Sequence, residues 1–500
     1  MAGSNVKATL AAVVASMGAF LFGLDIGYIA PILRCASFKR DVAHLVDWKD
    51  PDSSINSANA GFIVGIFSIG CIITAIPVVS SYFLDVWGRR NSVMLGSIVF
   101  LVGCILQATS NDMGRFYAGR LVTGGAIGLL SSVVPLYQAE MAPASIRGAL
   151  TGMYQLMLTL GIFVAALIDT FLVGHDDGWR VAIWLQMIPA GFILSVMPFL
   201  PRSPRWLVSV GRTSEAEETL LAIRPESQAK SEFQEIMVEI KQAQAMGEPR
   251  WIEVFTGRVG RLCFVGFMLQ MLQQLVGMNA FMYFGPRIFG SVGMKENLFQ
   301  TINNAVNCIA TLPALYLADR AGRRPLLLLG GIIMTATCLG MGIFGLVFMT
   351  RGPNDTYEPH NAWVGGVLAA CVFVFVAAFA CSWGPMVWCY CCEIFPLKYR
   401  GRCVGVTTLT NWVGNYIIAQ FTPVLLDAVG FGTFFVFGAF CFVGSGLALW
   451  LPETKGVALE RVGELFDEKF GDAAGQSMAA DATTYGATKD AIVSNGKVDA

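Results

Sequence analysis

Charged residues are scarce in this chain. Asp, Glu, Lys and Arg make up 14% of its 500 residues, against roughly a quarter in an average soluble protein. Only three residues are histidine, and the thirteen cysteines show no metal-binding spacing, so we expect no metal site and no other cofactor. The formal net charge of −1 gives no reason to expect a nucleic-acid partner. No Gly-x-x-x-x-Gly-Lys-Ser/Thr segment occurs, which argues against an ATP-driven pump and against an enzyme that uses a nucleotide.

Long apolar runs are what the chain has in abundance, since 55% of its residues are hydrophobic. A helix of about 20 apolar residues crosses the ~30 Å of hydrocarbon in a bilayer. We predict an all-α polytopic membrane protein embedded in the lipid bilayer. The first run is too long for a cleaved signal peptide and has no basic leading segment. The predicted transmembrane helices, called spans 1 to 12 here, are 8–32, 59–84, 93–110, 116–139, 149–173, 180–200, 261–290, 298–318, 325–349, 362–392, 403–427 and 432–451.

Basic residues mark one side of these spans. The loops that follow even-numbered spans carry 18 Lys and Arg, and the loops that follow odd-numbered spans carry nine. Because cytoplasmic loops are enriched in Lys and Arg, we expect both termini in the cytoplasm, with the plasma membrane as the host membrane. The sequon at Asn354 would then face the outside.

Short motifs from the first six spans recur in the last six. Asp85-V-W-G-R-Arg90 matches Asp319-R-A-G-R-Arg324, and Glu140-M-A-P-A-S-I-R-Gly148 matches Glu393-I-F-P-L-K-Y-R-Gly401. We predict two pseudo-symmetric halves of six helices each, residues 1–200 and 261–452, with a site between them near the membrane midplane.

The segments outside the two halves are polar. In 201–260, Ser214-E-A-Glu217 predicts the capped start of a short helix. Phe233, Ile236, Met237 and Ile240 form an apolar stripe at helical spacing. We expect cytoplasmic linker helices there, and a mostly disordered cytoplasmic tail over 453–500.

The repeated loops combine carboxylates with arginines, which can hold a carboxylate by two hydrogen bonds. We interpret these pairs as a cytoplasmic latch that joins the halves in one state and releases them in another. Positive-inside anchoring alone is the alternative. The predicted latch residues are Asp85, Arg89, Arg90, Glu140, Arg147, Asp319, Arg323, Arg324, Glu393 and Arg400.

Uncharged amides interrupt the apolar spans, most densely in Gln270-M-L-Q-Q-L-V-G-M-Asn279. Gln270, Gln273 and Gln274 share one helix face, and Asn279 reaches that face only if the helix kinks at Gly277. Buried amides need partners, either on other helices or in a wet cavity. We favour a cavity, because other spans also supply amides and a flat indole, which suit a neutral ligand rich in hydroxyl groups, of monosaccharide size. These further residues are Gln155, Asn307, Trp388, Asn411 and Asn415.

With these residues and motifs, the chain resembles the sugar porter family of the major facilitator superfamily over residues ~10–466. Specific motifs are the paired D-x-x-G-R-R segments, Pro201-R-S-P-Arg205, Gln273-Q-L-V-G-M-Asn279, Ser382-W-G-Pro385 and Pro452-E-T-K-Gly456. The resemblance implies the major facilitator fold and alternating access to a monosaccharide site. Tyr283 and Phe284 fall where the family closes its external gate. The implied sugar-contacting positions are Phe22, Gln155, Ile162, Gln273, Gln274, Asn279, Asn307, Gly384, Trp388, Asn411 and Asn415.

The same resemblance bears on which sugar is carried. Asn411 resembles the hexose carriers more than the xylose carrier and favours glucose. Val276 departs from the small hydroxyl residue that many members carry at that position, which puts the sugar preference in doubt.

Charged residues inside spans cost ~2.5–3.5 kcal/mol each on insertion scales, so they seldom persist without a role. Asp25 lies in span 1 and Arg120 in span 4. In proton-coupled members that resemble this chain, an aspartate and an arginine at these positions form the proton site. Separation of the pair on sugar binding would favour protonation of the aspartate. We therefore predict symport of a hexose with a proton; a fixed ion pair that only joins two helices is the alternative.

Other functions stay open. A facilitative hexose uniporter, or a polyol or inositol carrier, would show the same motifs. A sugar sensor could use the same cavity, but sensors of this type usually resemble carriers with a long signalling tail.

Overall fold

Helices form nearly all of the structure, which is a computed structural model. It describes residues 2–48, 55–142, 147–172, 175–245, 247, 250–290, 296–351, 357–359, 362–396, 399–455 and 465–466. Asn354 and nearly all of the predicted tail lie outside the described residues, as do the side chains of Arg147 and Asp319.

Each predicted span lies on helix, and several spans are broken into segments. Within the described residues the first six are Ala2–Arg34, Ser57–Ala75 continued by Pro77–Tyr82 and the π-helical Phe83–Trp87, Arg89–Ala108, Met113–Met141, Arg147–Leu172, and Gly178–Leu185 continued by Met187–Val196 and the 3-10 turn Met197–Phe199. The last six are Gly257–Leu275 with Met278–Gly290, Glu296–Ala321, Arg323–Phe348, Ala362–Cys381 with Trp383–Ile394, Arg400–Val429, and Thr433–Trp450.

By length and composition, ten helical stretches of the described chain could cross a membrane, with spans 11 and 12 counted together as Arg400–Trp450. Span 8, Glu296–Ala321, is not among them; it carries the buried amides Gln300, Asn303, Asn304 and Asn307. The chain is thus a multi-pass integral membrane protein with the all-α fold that the sequence predicted.

Smaller elements lie between the spans. A short helix, Ala36–Asp41, follows span 1, and a 3-10 turn, Gly430–Gly432, joins spans 11 and 12. Two short antiparallel strands, Met349–Arg351 and Tyr357–Pro359, follow span 9 with Met349 opposite Pro359. The sequence analysis did not predict this strand pair.

Between spans 6 and 7 the structure has the helices Pro204–Ser209, Thr213–Ile223, Glu226–Ala245 and Trp251–Val254. The predicted apolar stripe packs there, since Ile236, Phe233, Met237 and Ile240 belong to one cluster with Trp206 and Leu207. The predicted cap was wrong. The N-cap position is Arg212, without a side-chain hydrogen bond, so Ser214 already lies inside the helix.

The two sets of six spans meet along spans 2 and 11, along spans 5 and 8, and where span 1 packs on Met278–Gly290. Spans 1 and 5, within the first set, approach most closely at glycines. A Cβ on Gly23 would lie 2.0 Å from the carbonyl oxygen of Leu158, so no other residue fits there without movement. This close packing fixes the face that span 5 turns toward the centre of the bundle.

Candidate functional site

The amides of spans 7 and 11 form one continuous chain of hydrogen bonds. Asn279 Nδ2 donates to Gln274 Oε1 over 2.6 Å, and Gln274 Nε2 donates to Asn411 Oδ1 over 3.0 Å. Asn411 Nδ2 donates to both Gln270 Oε1 and Gln273 Oε1 at 2.7 Å. Asn411 is therefore the centre of the chain.

The break in span 7 makes this arrangement possible. Gly277 has φ +89°, and the helix stops at Leu275 and restarts at Met278. A Cβ at Gly277 would lie 2.6 Å from the ring of Phe437. The kink that the sequence analysis required is present, and it brings Asn279 beside Gln274.

Gln273 extends the chain to span 10. Its Nε2 donates to the carbonyl oxygens of Trp383 and Gly384, at 2.8 and 2.9 Å. Both carbonyls lie in the first turn of Trp383–Ile394, which begins after the interruption of span 10 at Ser382. Gln155 approaches from the first half, since a Cβ on Gly384 would lie 3.7 Å from Gln155 Nε2. Residues of both halves therefore meet at Gly384.

Two predicted residues are not joined to this chain. Asn307 is buried on span 8, and Trp388 is half-buried on span 10. Among the described residues, neither side chain hydrogen-bonds to the amides above. Ile162 is buried against span 1, where Gly23 and Gly27 meet its backbone.

Asn415 joins the two halves at the predicted gate. Its Oδ1 accepts hydrogen bonds from Ser68 Oγ of span 2 at 2.8 Å and from Tyr283 Oη at 3.2 Å. Tyr283 and Phe284 are buried, with ring centroids 6.3 Å apart, on the segment that packs against span 1. In this structure the predicted gate residues lie inside the contact between the halves.

Trp412 is a site residue that the sequence analysis missed. Its ring lies between two residues of the first half, 5.2 Å from Phe22 and 6.1 Å from Phe67, measured between centroids. Its Nε1 is buried and has no hydrogen-bond partner. The sequence analysis could have predicted Trp412, because this residue directly follows Asn411 in the middle of span 11.

Asp25 and Arg120 form a buried ion pair. Arg120 Nη1 lies 2.6 Å from Asp25 Oδ2, and each side chain is 1% exposed. Asp25 Oδ1 has no hydrogen-bond partner. Arg120 also donates to Tyr28 Oη and to the carbonyl oxygen of Ile63, both at 3.3 Å. The arginine therefore has partners besides the carboxylate.

Gln107 and Phe67 extend this network, and the sequence analysis missed both. Tyr28 Oη donates to Gln107 Oε1 at 2.5 Å, and Gln107 Nε2 donates to Thr123 Oγ1 at 3.1 Å. Arg120 lies over the Phe67 ring, 4.7 Å from its centroid, a cation–π distance. Phe67 thus contacts both Arg120 and Trp412. Gln107 could have been found as another amide inside a span, whereas Phe67 carries no such signal.

The predicted latch residues occupy one end of the bundle, called the basic end here. Arg89 Nη2 lies 3.0 Å from Glu140 Oε1, and Arg323 Nη2 lies 2.7 Å from Glu393 Oε1. Arg89 also lies 3.8 Å from the exposed Asp85. Each of these described ion pairs joins spans of one half.

The neighbouring contacts at the basic end also repeat within each half. Arg90 donates to the carbonyl oxygens of Pro198 and Leu200, and Arg324 donates to that of Leu449, so each holds the end of its own sixth span. The hydroxyl groups of Ser203 and Thr454 donate to Glu140 and Glu393, respectively. Arg400 donates to the carbonyl oxygen of Phe395. These contacts lie within the halves, and the latch between the halves stays a prediction.

Comparisons with known proteins identify the family of the chain. Residues 11–466 match the family model described as Sugar (and other) transporter. The chain is 32% identical over 481 residues to the low-affinity glucose transporter HXT3 of Saccharomyces cerevisiae, covering 93% of this chain and 83% of that protein. It is 37% identical over 467 residues to the arabinose-proton symporter of Escherichia coli, covering 92% of each.

A solved structure is similar too. The major facilitator superfamily proton:xylose symporter XylE, bound to 6-bromo-6-deoxy-D-glucose, superposes with a TM-score of 0.75 at 28% identity, covering 92% of this chain and 99% of that one. The family match and the fold show a membrane transporter of the major facilitator superfamily rather than an enzyme. The chain belongs to the Sugar (and other) transporter family and is a sugar porter.

Proposed function

We propose that the protein carries a hexose, glucose first, across the membrane by alternating access, in symport with a proton. The observation that carries the proposal is the meeting of both halves at one set of uncharged polar groups. Gln155 of the first half faces Gly384, which accepts a hydrogen bond from Gln273. Amides that both donate and accept suit sugar hydroxyl groups.

Glucose is the first substrate to test. Asn411, the residue that favours the hexose carriers by resemblance, is central to the amide chain. The name of the yeast relative HXT3 also specifies glucose. A polyol or inositol carrier, which shares the motifs, is an outcome of the same assay.

Proton coupling would use the Asp25–Arg120 pair. The unpaired Asp25 Oδ1 leaves a position for a proton, and Arg120 keeps Tyr28 and Ile63 as partners when the carboxyl becomes neutral. Phe67 packs between Arg120 and Trp412, so a sugar that moves Trp412 would disturb the pair. The name of the bacterial relative, arabinose-proton symporter, supports coupling to a proton.

We further propose that the basic end faces the cytoplasm and that the host membrane is the plasma membrane. The excess of Lys and Arg in the loops at that end supports this orientation.

The test is uptake of radiolabelled glucose by purified protein in liposomes, with and without an imposed proton gradient. A potential of 100 mV supplies ~2.3 kcal/mol per proton, enough for roughly 50-fold accumulation. Accumulation supports symport, whereas equilibration without accumulation means a uniporter. No uptake of any hexose, with uptake of inositol or a polyol, would overturn the hexose assignment.

A further inference from the structure

A second buried carboxylate, outside the site described above, lies on span 5. This residue is Asp169, and it is 1% exposed. Neither of its carboxylate oxygens has a hydrogen-bond partner. A buried carboxylate that is ionised and unpaired is far less stable than the neutral acid. Asp169 is therefore expected to carry a proton in this structure, and the Asp25–Arg120 pair does not account for that proton.

Asp169 lies in line with two residues of the proposed sugar site. Gln155, Ile162 and Asp169 follow one another at intervals of seven residues, which keeps them on nearly the same face of a helix. Seven residues rise about 10 Å, so Asp169 lies about that far beyond Ile162, away from the basic end. Ala165, one turn before Asp169, packs against Gly27 of span 1. The carboxyl group thus belongs to the face that span 5 turns toward span 1 and the centre.

The residue after Asp169 contacts span 8 of the other half. Thr170 Oγ1 lies 2.9 Å from Thr301 Oγ1 on span 8. Close to Thr301 in sequence are other buried polar atoms without partners, namely Gln300 Oε1 and Asn304 Nδ2. Gln300 also donates to the carbonyl oxygen of Met282, on the segment that carries Tyr283. The end of the bundle opposite the basic end thus buries several polar atoms without partners, as expected for surfaces that water reaches when the halves separate there.

Among the residues that the structure describes, no charged group pairs with Asp169. Within the described part of the chain, none of the ionisable side chains on the elements packed against the outer half of span 5 forms an ion pair or a hydrogen bond with it. These side chains are Asp25, Tyr28 and Arg34 on span 1, Arg120 on span 4, Arg180 on span 6 and Cys308 on span 8.

We propose that Asp169 is a second proton-binding group, separate from Asp25, that holds its proton while the end opposite the basic end is closed and releases it when that end opens to water. The carboxyl is a neutral acid in the closed state. On opening, water solvates the carboxylate and the proton passes to the solution on that side. The release step rests on the alternating access of the proposed function, but the bound proton does not.

Infrared spectroscopy tests the bound proton without any sugar. A protonated buried carboxyl has a C=O stretching band that a carboxylate lacks. We expect this band at neutral pH in the wild type and in Asp25→Asn, and its loss in Asp169→Asn. The Asp169→Glu variant, which keeps a carboxyl, should shift the band rather than remove it. Identical carboxyl spectra for the wild type and Asp169→Asn would overturn the proposal.

Exchange of labelled against unlabelled glucose tests the release step. With the internal pH fixed, acid outside should slow wild-type exchange, because protonated Asp169 favours the closed end. Asp169→Asn, always neutral, should lose this dependence and stay at the slow, acid-side rate. Asp176→Asn is the matched control, since its carboxylate, seven residues further on, is 89% exposed. An Asp169→Asn profile as steep as that of the wild type would reject the release step. Failure of accumulation in the uptake assay would reject only the symport.

Discussion

Arg120 lies 2.6 Å from Asp25 inside the first half of the molecule, with both side chains 1% exposed. The pair is linked on one side to Tyr28 and Gln107, and on the other to Phe67. Because Phe67 also contacts Trp412 of the second half, the ion pair lies one side chain away from the proposed sugar site.

Replacement of Asp25 by Asn should abolish accumulation of glucose while leaving glucose exchange in place. The amide keeps the size of the side chain but cannot take up and release a proton. Uptake under an imposed proton gradient and exchange at equal pH are the two measurements. Asp25→Glu retains a carboxyl and should keep part of the coupling. Undiminished uphill uptake by Asp25→Asn would show that the pair is only structural.

Replacement of Asn411 by Leu should weaken glucose binding and slow transport. The change leaves Gln270 and Gln273 without their donor and Gln274 without its acceptor, and each unsatisfied buried group costs about 1–3 kcal/mol. Equilibrium binding of labelled glucose measures the effect. Thr410→Val is the matched control, because among the described residues the Thr410 hydroxyl donates to the carbonyl oxygen of Val406 of its own helix and to no other group. If both variants bind glucose equally well, the amide chain does not shape the site.

Trp412→Phe should bind glucose about fivefold more weakly, the loss expected from one hydrogen bond of about 1 kcal/mol. The indole Nε1 is buried and unpaired, so it is available to a ligand hydroxyl group, while the phenyl ring keeps the contacts with Phe22 and Phe67. The comparison variant is Trp388→Phe, because Trp388 is the tryptophan that the sequence analysis predicted to contact the sugar. If Trp412→Phe binds glucose as tightly as the wild type, the indole N–H does not donate a hydrogen bond to the sugar.

Arg323→Ala and Glu393→Ala should each lower the free energy of unfolding by about 2 kcal/mol, and the double variant should cost little more than either one. The pair is largely buried, with side chains 16% and 20% exposed, and it joins two spans of one half. Thermal unfolding in detergent measures the effect. The exposed pair Lys230–Glu226 is the control and should show no measurable change when broken.

The same variants show whether Arg323 and Glu393 act as a pair within their own half or have a role only in the predicted latch between halves. Full additivity of Arg323→Ala and Glu393→Ala would mean that the pair does not contribute to the stability of its half. The role of these residues would then have to be sought between the halves, in another state.

Gly277→Ala should destabilise the protein by about 1–3 kcal/mol and weaken sugar binding. A side chain at φ +89° is strained, and its Cβ would meet the ring of Phe437 at 2.6 Å. Relief of that contact would straighten span 7 and move Asn279 away from Gln274. Gly446→Ala on span 12 is the control, since no atom lies within 4 Å of the added Cβ. Equal stability of the two variants would show that the kink does not depend on glycine.

The sequence by itself determined the fold class, and it predicted the chemistry of the site. Apolar runs of membrane length give helices wherever they occur, because a backbone in hydrocarbon must satisfy its own hydrogen bonds. For the same reason amides inside the spans stand out, so Gln155, Gln273 and Asn411 could be predicted as site residues from their type and position alone. Repeated motifs such as Gly-Arg-Arg predicted that Arg89 and Arg323 bind carboxylates, but not that these contacts lie within one half.

Only the tertiary structure decided which of these groups meet. Hydrogen-bond partners such as Asn411 and Gln273 are far apart in sequence, and helix packing, not local pattern, sets their distance. Phe67 is an ordinary apolar residue of span 2 until Arg120 and Trp412 are placed on either side of it. The carboxylate of Asp169 shows the same limit. Its sequence position shows a charge in a span, but only the packing of spans 1, 5 and 8 leaves it buried without a partner.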